Sequence, residues 1–443
     1  MRFFLLVVGM LLLASCGGKG VNFPSSRPDT PLWTDDERQA IVAYWSAEGR
    51  YAVEPIGEPE RINVTVGGSE WYAQFLVAVK TVPNDRQALW QEWVTQRITA
   101  EKARMTEALT GMPNAKRDQI PSADSMPEDL RTALGEPPAL FERVRPLRYT
   151  VKFAKDDAEA PFVYTDNVPF ADRKPYYSYY RSTNGVMKVG KQIRTYEGEE
   201  RQKLKALLQS VGRSESEAKI LFAVSALEGG FEAINTYDTG FVSIGFIQFI
   251  TAREGNGSLG AVLAQYKSDD PAGFRADFHR FGIDVTSDKV IATVDPTTGA
   301  ESKGEEAVRA VINDKRLTAT FERAGLREGF RRAQVKVARE RYFPGEDTVT
   351  AIIGGVQRST KVSTIIKSEA GLATLMDRKV NRGNIRLLND IASKVAEKYK
   401  VMRIEDLAKY EYEIVQALKF RTDFLTDTSL SQPQALPASP TRR

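Results

Sequence analysis

The chain has 443 residues, with 62 lysines and arginines against 58 aspartates and glutamates, and a formal charge of +4 at pH 7. That length admits two or three domains, and so small a charge gives no compositional support for a nucleic-acid partner. A single cysteine, Cys16, and a single histidine, His279, exclude an intrachain disulfide, a thiolate metal cluster and a multi-histidine metal site. Acid–base chemistry must therefore fall mainly to carboxylates, and no metal or cofactor is expected.

Met1-Arg2 gives a positive start to an apolar run, Phe3 to Leu13, that is too short to span a bilayer as a mature helix. Small residues close the run at Leu13-Ala14-Ser15-Cys16-Gly17, which reads as a secretory signal. The segment resembles the lipobox of bacterial lipoproteins. That resemblance implies cleavage before Cys16, acylation of Cys16 and anchoring to a membrane, each buried methylene contributing about 0.8 kcal/mol. Gly17 after the cysteine implies the outer membrane, facing the periplasm, if the cell is Gram-negative. Residues 1–16 are thus expected to be a signal peptide, and residues 17–33, rich in Gly, Ser and Pro, a tether.

Thr34 and Glu37 form a capping box ahead of Ile41, Val42 and Trp45 at helical spacing. Residues 61–79 alternate as two strands, INVTV and WYAQFLVAV, around Gly67-Gly68. Pro83-Asn84-Asp85 opens a long helix with an apolar stripe of Leu89, Trp90, Trp93, Val94, Ile98, Met105 and Leu109. Residues 112–138 read as a loop with one short helix, and 148–153 as a strand. The stretch 34–155 is expected to be a small α/β domain with its tryptophans in the core. Residues 156–196, with the run Pro175-Tyr176-Tyr177-Ser178-Tyr179-Tyr180, are expected to connect it to the remainder.

A helix over 197–211 ends at Gly212. Ser214 and Glu217 then make a second capping box, opening a helix expected to reach Glu228. After Lys219 it is apolar nearly all round, the mark of a buried helix. A carboxyl among bulky apolar groups is desolvated, and a general acid at neutral pH must keep its proton. Gly229 and Gly230 are expected to stop the helix and leave room for a substrate. A turn around Asp238 to Gly240 and a strand-like run over 241–250 make a hairpin that would return Asp238 and Ser243 towards the helix end. One neutral and one ionised carboxyl flanking a glycosidic bond form a glycosidase pair, and Ser243 would orient water between them.

In this order Glu228, Asp238 and Ser243-Ile244-Gly245 resemble the lysozyme superfamily. Its phage-type members carry a glutamate closing a helix, an aspartate on a hairpin and a threonine before Ile-Gly. Here serine stands for threonine, and one residue has moved from the Asp-to-hydroxyl gap into the Glu-to-Asp gap. Gly245-Phe246-Ile247-Gln248 is similar to the Gly-Leu-Met-Gln motif of lytic transglycosylases, although Gly229 stands where those enzymes have serine after the glutamate. The resemblance covers only Leu227 to Phe249. It implies an α+β chain whose residues 197–428 form a mostly helical lysozyme-like domain with a short β-hairpin. It implies a peptidoglycan glycosidase that cleaves the β-1,4 bond between N-acetylmuramic acid and N-acetylglucosamine. Glu228, Asp238 and Ser243 would be catalytic, and Tyr237 and Gln248 would contact substrate. The alternatives are a lytic transglycosylase leaving 1,6-anhydro ends and a non-catalytic, wall-binding lipoprotein.

Beyond this segment, helices are expected over 258–266, 271–281, 305–312, 316–324 and 327–342, with a hairpin over 289–299. His279 reads as structural, and Arg327, Arg331, Arg332, Lys336, Arg339 and Arg341 as a solvated helix face. A helix from Ser368-Glu369 reaches Val380-Asn381-Arg382-Gly383, a turn that resembles the far wall of the cleft in phage-type muramidases and implies substrate contact for Asn381. Amphipathic helices follow over 385–399 and 404–420. Residues 429–443, polar and proline-rich, are expected to be a disordered tail.

Overall fold

The structure is a computed structural model. It describes residues 31–63, 70–110, 125–137, 141–145, 147–154, 161–166, 179–183, 186–189, 198–212, 214–236 and 241–434. Helices and small antiparallel sheets are mixed along the chain, an α+β composition.

Helix α1 (Asp35–Ser46) starts at its capping box. Thr34 Oγ1 accepts from the Glu37 N–H at 3.2 Å, and Glu37 Oε2 accepts from the Thr34 N–H at 2.9 Å. Strands β1 (Tyr51–Pro55) and β2 (Glu60–Asn63) lead to helices α2 (Glu70–Ala78), α3 (Asn84–Thr110) and α4 (Glu128–Leu134). The expected strand WYAQFLVAV is therefore a helix. Its buried residues Trp71, Phe75 and Val79 recur every fourth position, a helical period that the apparent alternation concealed. These three pack with Trp90, Trp93, Val94 and Leu130 into a separate apolar cluster. Leu89, expected on the α3 stripe, is 42% exposed.

Strands β3 (Phe141–Val144), β4 (Leu147–Val151), β5 (Phe162–Asp166), β6 (Tyr179–Thr183) and β7 (Val186–Val189) follow. β2 pairs with β3, and the others form an antiparallel sheet in the order β1-β4-β5-β6-β7. Residues 156–196 are thus more than a connection, since they supply three strands. The expected boundary near residue 155 is not a boundary in the packing either. Trp33, Ile41, Trp45, Val151, Phe162 and Tyr164 belong to one core with residues from the whole second half of the chain. Buried polar bonds fix the junction. Trp33 Nε1 donates to His279 O (3.0 Å), Trp45 Nε1 to Phe281 O (3.1 Å) and the Tyr164 hydroxyl to Glu322 Oε2 (2.6 Å). Leu32 and Trp33, the end of the expected tether, are docked through their N–H groups on the Glu301 carboxylate.

The large core is built from α5 (Gly198–Ser210), α6 (Glu215–Ser225), a small sheet of β8 (Ile234–Asn235), β9 (Ser243–Ile244) and β10 (Phe249–Ile250), then α7 (Ser258–Asp269) and α8 (Pro271–Asp277). A second small sheet, β11 (Ile283–Val285), β12 (Ile291–Val294) and β13 (Glu301–Lys303), precedes α9 (Glu305–Asn313), α10 (Lys315–Ala324) and α11 (Glu328–Tyr342). A hairpin of β14 (Thr348–Ile353) and β15 (Val356–Lys361) leads to α12 (Val362–Ile365), α13 (Glu369–Arg382), α14 (Leu387–Tyr399) and α15 (Glu411–Leu418). The expected tail does not begin at 429. Leu430 is buried, Ser431 N donates to Glu369 Oε2 at 2.8 Å, and Ser431 Oγ accepts from the Glu369 N–H at 2.9 Å, so this stretch covers the start of α13. Residues 435–443 lie outside the described residues. Among the described residues no helix is long and apolar enough to cross a membrane.

Candidate functional site

α6 delivers the central acid. Glu217 N donates to Ser214 Oγ at 3.1 Å, closing the capping box, and Ala218, Ile220, Leu221, Val224 and Ser225 are buried along the helix, which packs on α13. Regular helix ends at Ser225, three residues before the expected end. Glu228 lies in the turn that follows, its N–H bonded to Ser225 O at 2.9 Å. Gly229 adopts φ of +129°, a conformation that favours glycine, and turns the chain away. Glu228 is 3% exposed. The space beside Gly230 is not open as expected. A Cβ there would lie 2.9 Å from both carboxylate oxygens of Glu232, which fill it.

The chain then forms the three-stranded sheet. β8 pairs with β9 and β9 with β10, which places Ser243 opposite Asn235 on one side and Ile250 on the other. The run over 241–250 is therefore two short strands around a tight turn, not one strand. Ser243 is buried in the middle strand. Gly245 has φ of +90°, and any Cβ on it would stand 2.1 Å from Gln334 Oε1. That close approach lets the buried Gln334 of α11 tie two parts of the segment together. Its Oε1 accepts from Phe246 N (3.3 Å), and its Nε2 donates to Phe231 O (3.1 Å). Gln248 is held within the segment, accepting from Asn235 Nδ2 at 2.9 Å and donating to Gly245 O at 3.0 Å. Phe241, Gln248 and Ala252 all have positive φ (67°, 56° and 54°), a clustering of strained non-glycine backbone typical of functional segments. Tyr237 and Asp238 lie outside the described residues, as does Cys16.

What faces Glu228 comes from the far end of the chain. Arg421 Nη2 contacts Glu228 Oε1, and the same guanidinium binds Asp377 Oδ1 through Nε at 3.0 Å and through Nη2 at 2.5 Å. Asp377 is 1% exposed and also accepts from Asn381 Nδ2 at 3.2 Å. Asn381, itself exposed, is thereby connected to Glu228 through Asp377 and Arg421. Burial works against the Arg421 charge, but hydrogen bonding to Asp377 and the charge of Glu228 outweigh it and raise its pKa above the ordinary arginine value. Arg421 is partly exposed, so the guanidinium covers two buried carboxylates from the solvent side. Beside it, the Arg378 and Arg382 guanidinium carbons lie 5.4 and 4.7 Å from the Phe420 ring centre, a cationic and aromatic rim.

Sequence reasoning missed Arg421, Asp377, Glu232 and Gln334. Asp377 carried a faint signal, an acid in the apolar stretch of α13. Arg421 carried none, because its partner Glu228 is nearly two hundred positions away. The cations of α11 mostly have acidic partners: Arg331 pairs with Glu232, Arg332 with Glu328, Lys336 with Asp269 and Arg339 with Glu217. His279 is buried, stacked on Trp33 with Nδ1 2.6 Å from Asp284 Oδ2. Among the described residues no group of three or more His, Cys, Asp or Glu could hold a metal ion. No family model, curated protein or solved structure matches this chain.

Proposed function

We propose that this protein is a peptidoglycan glycosidase of the muramidase type, with Glu228 as general acid, held in the cell envelope by an acyl anchor on Cys16. The observation that supports it most is the setting of Glu228: a buried carboxyl on the turn that ends α6, followed at once by a small antiparallel sheet. A general acid must carry a proton and reach the leaving oxygen. With Arg421 against Oε1, Glu228 is locked in an ion pair. Asp377 is the alternative partner already in place, so a shift of Arg421 wholly onto Asp377 would let Glu228 take up a proton from water and then donate it to the leaving oxygen. Asp238 and Ser243 would then stabilise the oxocarbenium-like state or position water. Tyr237, Gln248 and Asn381 would contact the glycan, Gln248 by way of the turn that it braces.

A second reading, the lytic transglycosylase, draws support from the Gly245-Phe246-Ile247-Gln248 turn, because its Gln248 is bonded to Ala233 O and Asn235 Nδ2 in the segment that follows the acid. Both readings need Glu228. They differ in what attacks the sugar carbon, water or the sugar's own 6-hydroxyl. Mass spectrometry of the fragments released from purified murein separates them. Reducing ends support the hydrolase, 1,6-anhydro ends replace it with the transglycosylase, and binding of murein without release removes both in favour of a wall-binding protein.

A further inference from the structure

Two of the most exposed large apolar side chains among the described residues line one cavity, Met402 (78%) and Ile352 (57%). Ile352 stands just before the tip of the β14–β15 hairpin, where Gly354 and Gly355 make the turn with positive φ and open space around both, and Val356 (49% exposed) stands just after it, opposite Ile353 and so on the other face of the hairpin. Met402 follows α14. Between hairpin and helix is a cavity of about 490 Å³ whose apolar wall includes Ile352, Val401 and Met402.

The face is rigid. The outward N–H groups of Thr350 and Ile352 on β14 donate to Asn389 Oδ1 and Ser393 Oγ of α14, each at 3.0 Å, so that strand edge is satisfied and is not seeking another strand. Its charge is also unbalanced. Lys361 and Lys398 nearby are neutralised by Glu346 and Glu413. Lys394 and Lys400 on the cavity rim have no ion-pair partner among the described residues, and Glu397 is the one acid on the rim.

We propose that this face docks on an anionic lipid surface. Projecting apolar side chains at a hairpin tip can enter the acyl boundary, while unpaired cations around them meet lipid phosphates and keep their stems along the apolar zone. An apolar patch alone would equally suit a protein partner; two unpaired lysines against a single glutamate on the rim favour a phosphate-bearing interface. The inference stands apart from the glycosidase reading and from the acyl anchor at Cys16.

The test uses the full chain, whose lone cysteine makes site-specific labelling simple. Cys16→Ser is combined with Met402→Cys or, as a control on a distant exposed site, Val77→Cys, and an environment-sensitive fluorophore is attached. Each protein is mixed with phosphatidylglycerol vesicles or with phosphatidylcholine vesicles. The amino-terminal segment is the same in both labelled proteins, so the comparison between sites isolates the patch. The expected result is a blue shift at position 402 with phosphatidylglycerol, little response at position 77, and at least about a tenfold higher lipid requirement at 402 after Lys394→Glu with Lys400→Glu. No shift at 402, an equal shift at both positions, or an equal shift in phosphatidylcholine would overturn the proposal.

Discussion

At the scale of single residues, the site depends on two kinds of close approach, a shared cation and missing side chains. Arg421 serves two buried carboxylates at once, so removing it leaves both without their cation. Breaking a buried pair from one side costs about 3–5 kcal/mol, and the partial exposure of Arg421 brings the expectation for Arg421→Gln to about 2 kcal/mol. Adding Asp377→Asn should recover part of that loss, because one stranded charge disappears. Urea denaturation of the two single variants and the double variant measures the coupling, and strictly additive losses would mean that Arg421 and Asp377 do not act together. Gly245 makes the complementary case. Gly245→Ala forces a Cβ to 2.1 Å from Gln334 Oε1 at a φ of +90° and should cost about 3 kcal/mol or more, whereas Gly383→Ala, at a positive φ but with open space around it, should cost about 1 kcal/mol. Equal losses at the two positions in the same denaturation series would show that Gln334 yields freely. These residue-level ties were poorly legible in the sequence. Glu228 stood out as an acid ending an apolar run, but a contact such as Arg421 with Glu228 is fixed by the path of the whole chain and leaves no local pattern.

At the scale of elements, capping was legible because its chemistry is local. Thr34 with Glu37 and Ser214 with Glu217 each satisfy helix N–H groups three residues apart, and both boxes form. Thr34→Ala should cost about 1 kcal/mol in thermal or chemical unfolding. The same box gives a pH dependence. Hydrogen bonding to the Thr34 backbone, against the opposing effect of burial and with help from His279 and Arg275, holds the Glu37 carboxyl down at about 2. Since the folded value lies below the ordinary one, this stability is present above pH 4.5 and is lost as pH falls towards 2. Glu37→Gln should therefore narrow the gap to wild type across that window, and a constant gap in unfolding midpoint from pH 6 to pH 3 would contradict the assignment. Where local signals conflict, the sequence misleads. Residues 71–78 alternate on paper, yet Trp71 and Phe75 face one apolar cluster as a helix. The β14–β15 hairpin, two β-rich runs around Gly354-Gly355, had a readable turn signal that went unused.

At the scale of the whole molecule, sequence order and packing order differ. The resemblance and the mixed run of expected helices and strands anticipated the α+β mixture, but not that α1 and the β1-β4-β5 sheet would join the core of the second half, because that union rests on Trp33, Trp45 and Tyr164 meeting residues far along the chain. The helices α2, α3 and α4 keep their own cluster. Hydrogen exchange should therefore report two distinct responses. Trp93→Ala should loosen amides in residues 70–134 with little change elsewhere, and Trp45→Ala should cost about 3–5 kcal/mol and loosen α1, the sheet and the segment around Phe281 together. A uniform response to both variants would contradict separate clusters. The large core is also what brings α6, α13 and the loop bearing Arg421 to one place, so the proposed activity belongs to this assembly as a whole. The most direct measurement is muropeptide release from purified murein by the intact protein and by Glu228→Gln, with unfolding midpoints matched. The account predicts release by the wild type and loss of at least about a hundredfold in the variant; equal release by the two proteins would contradict it.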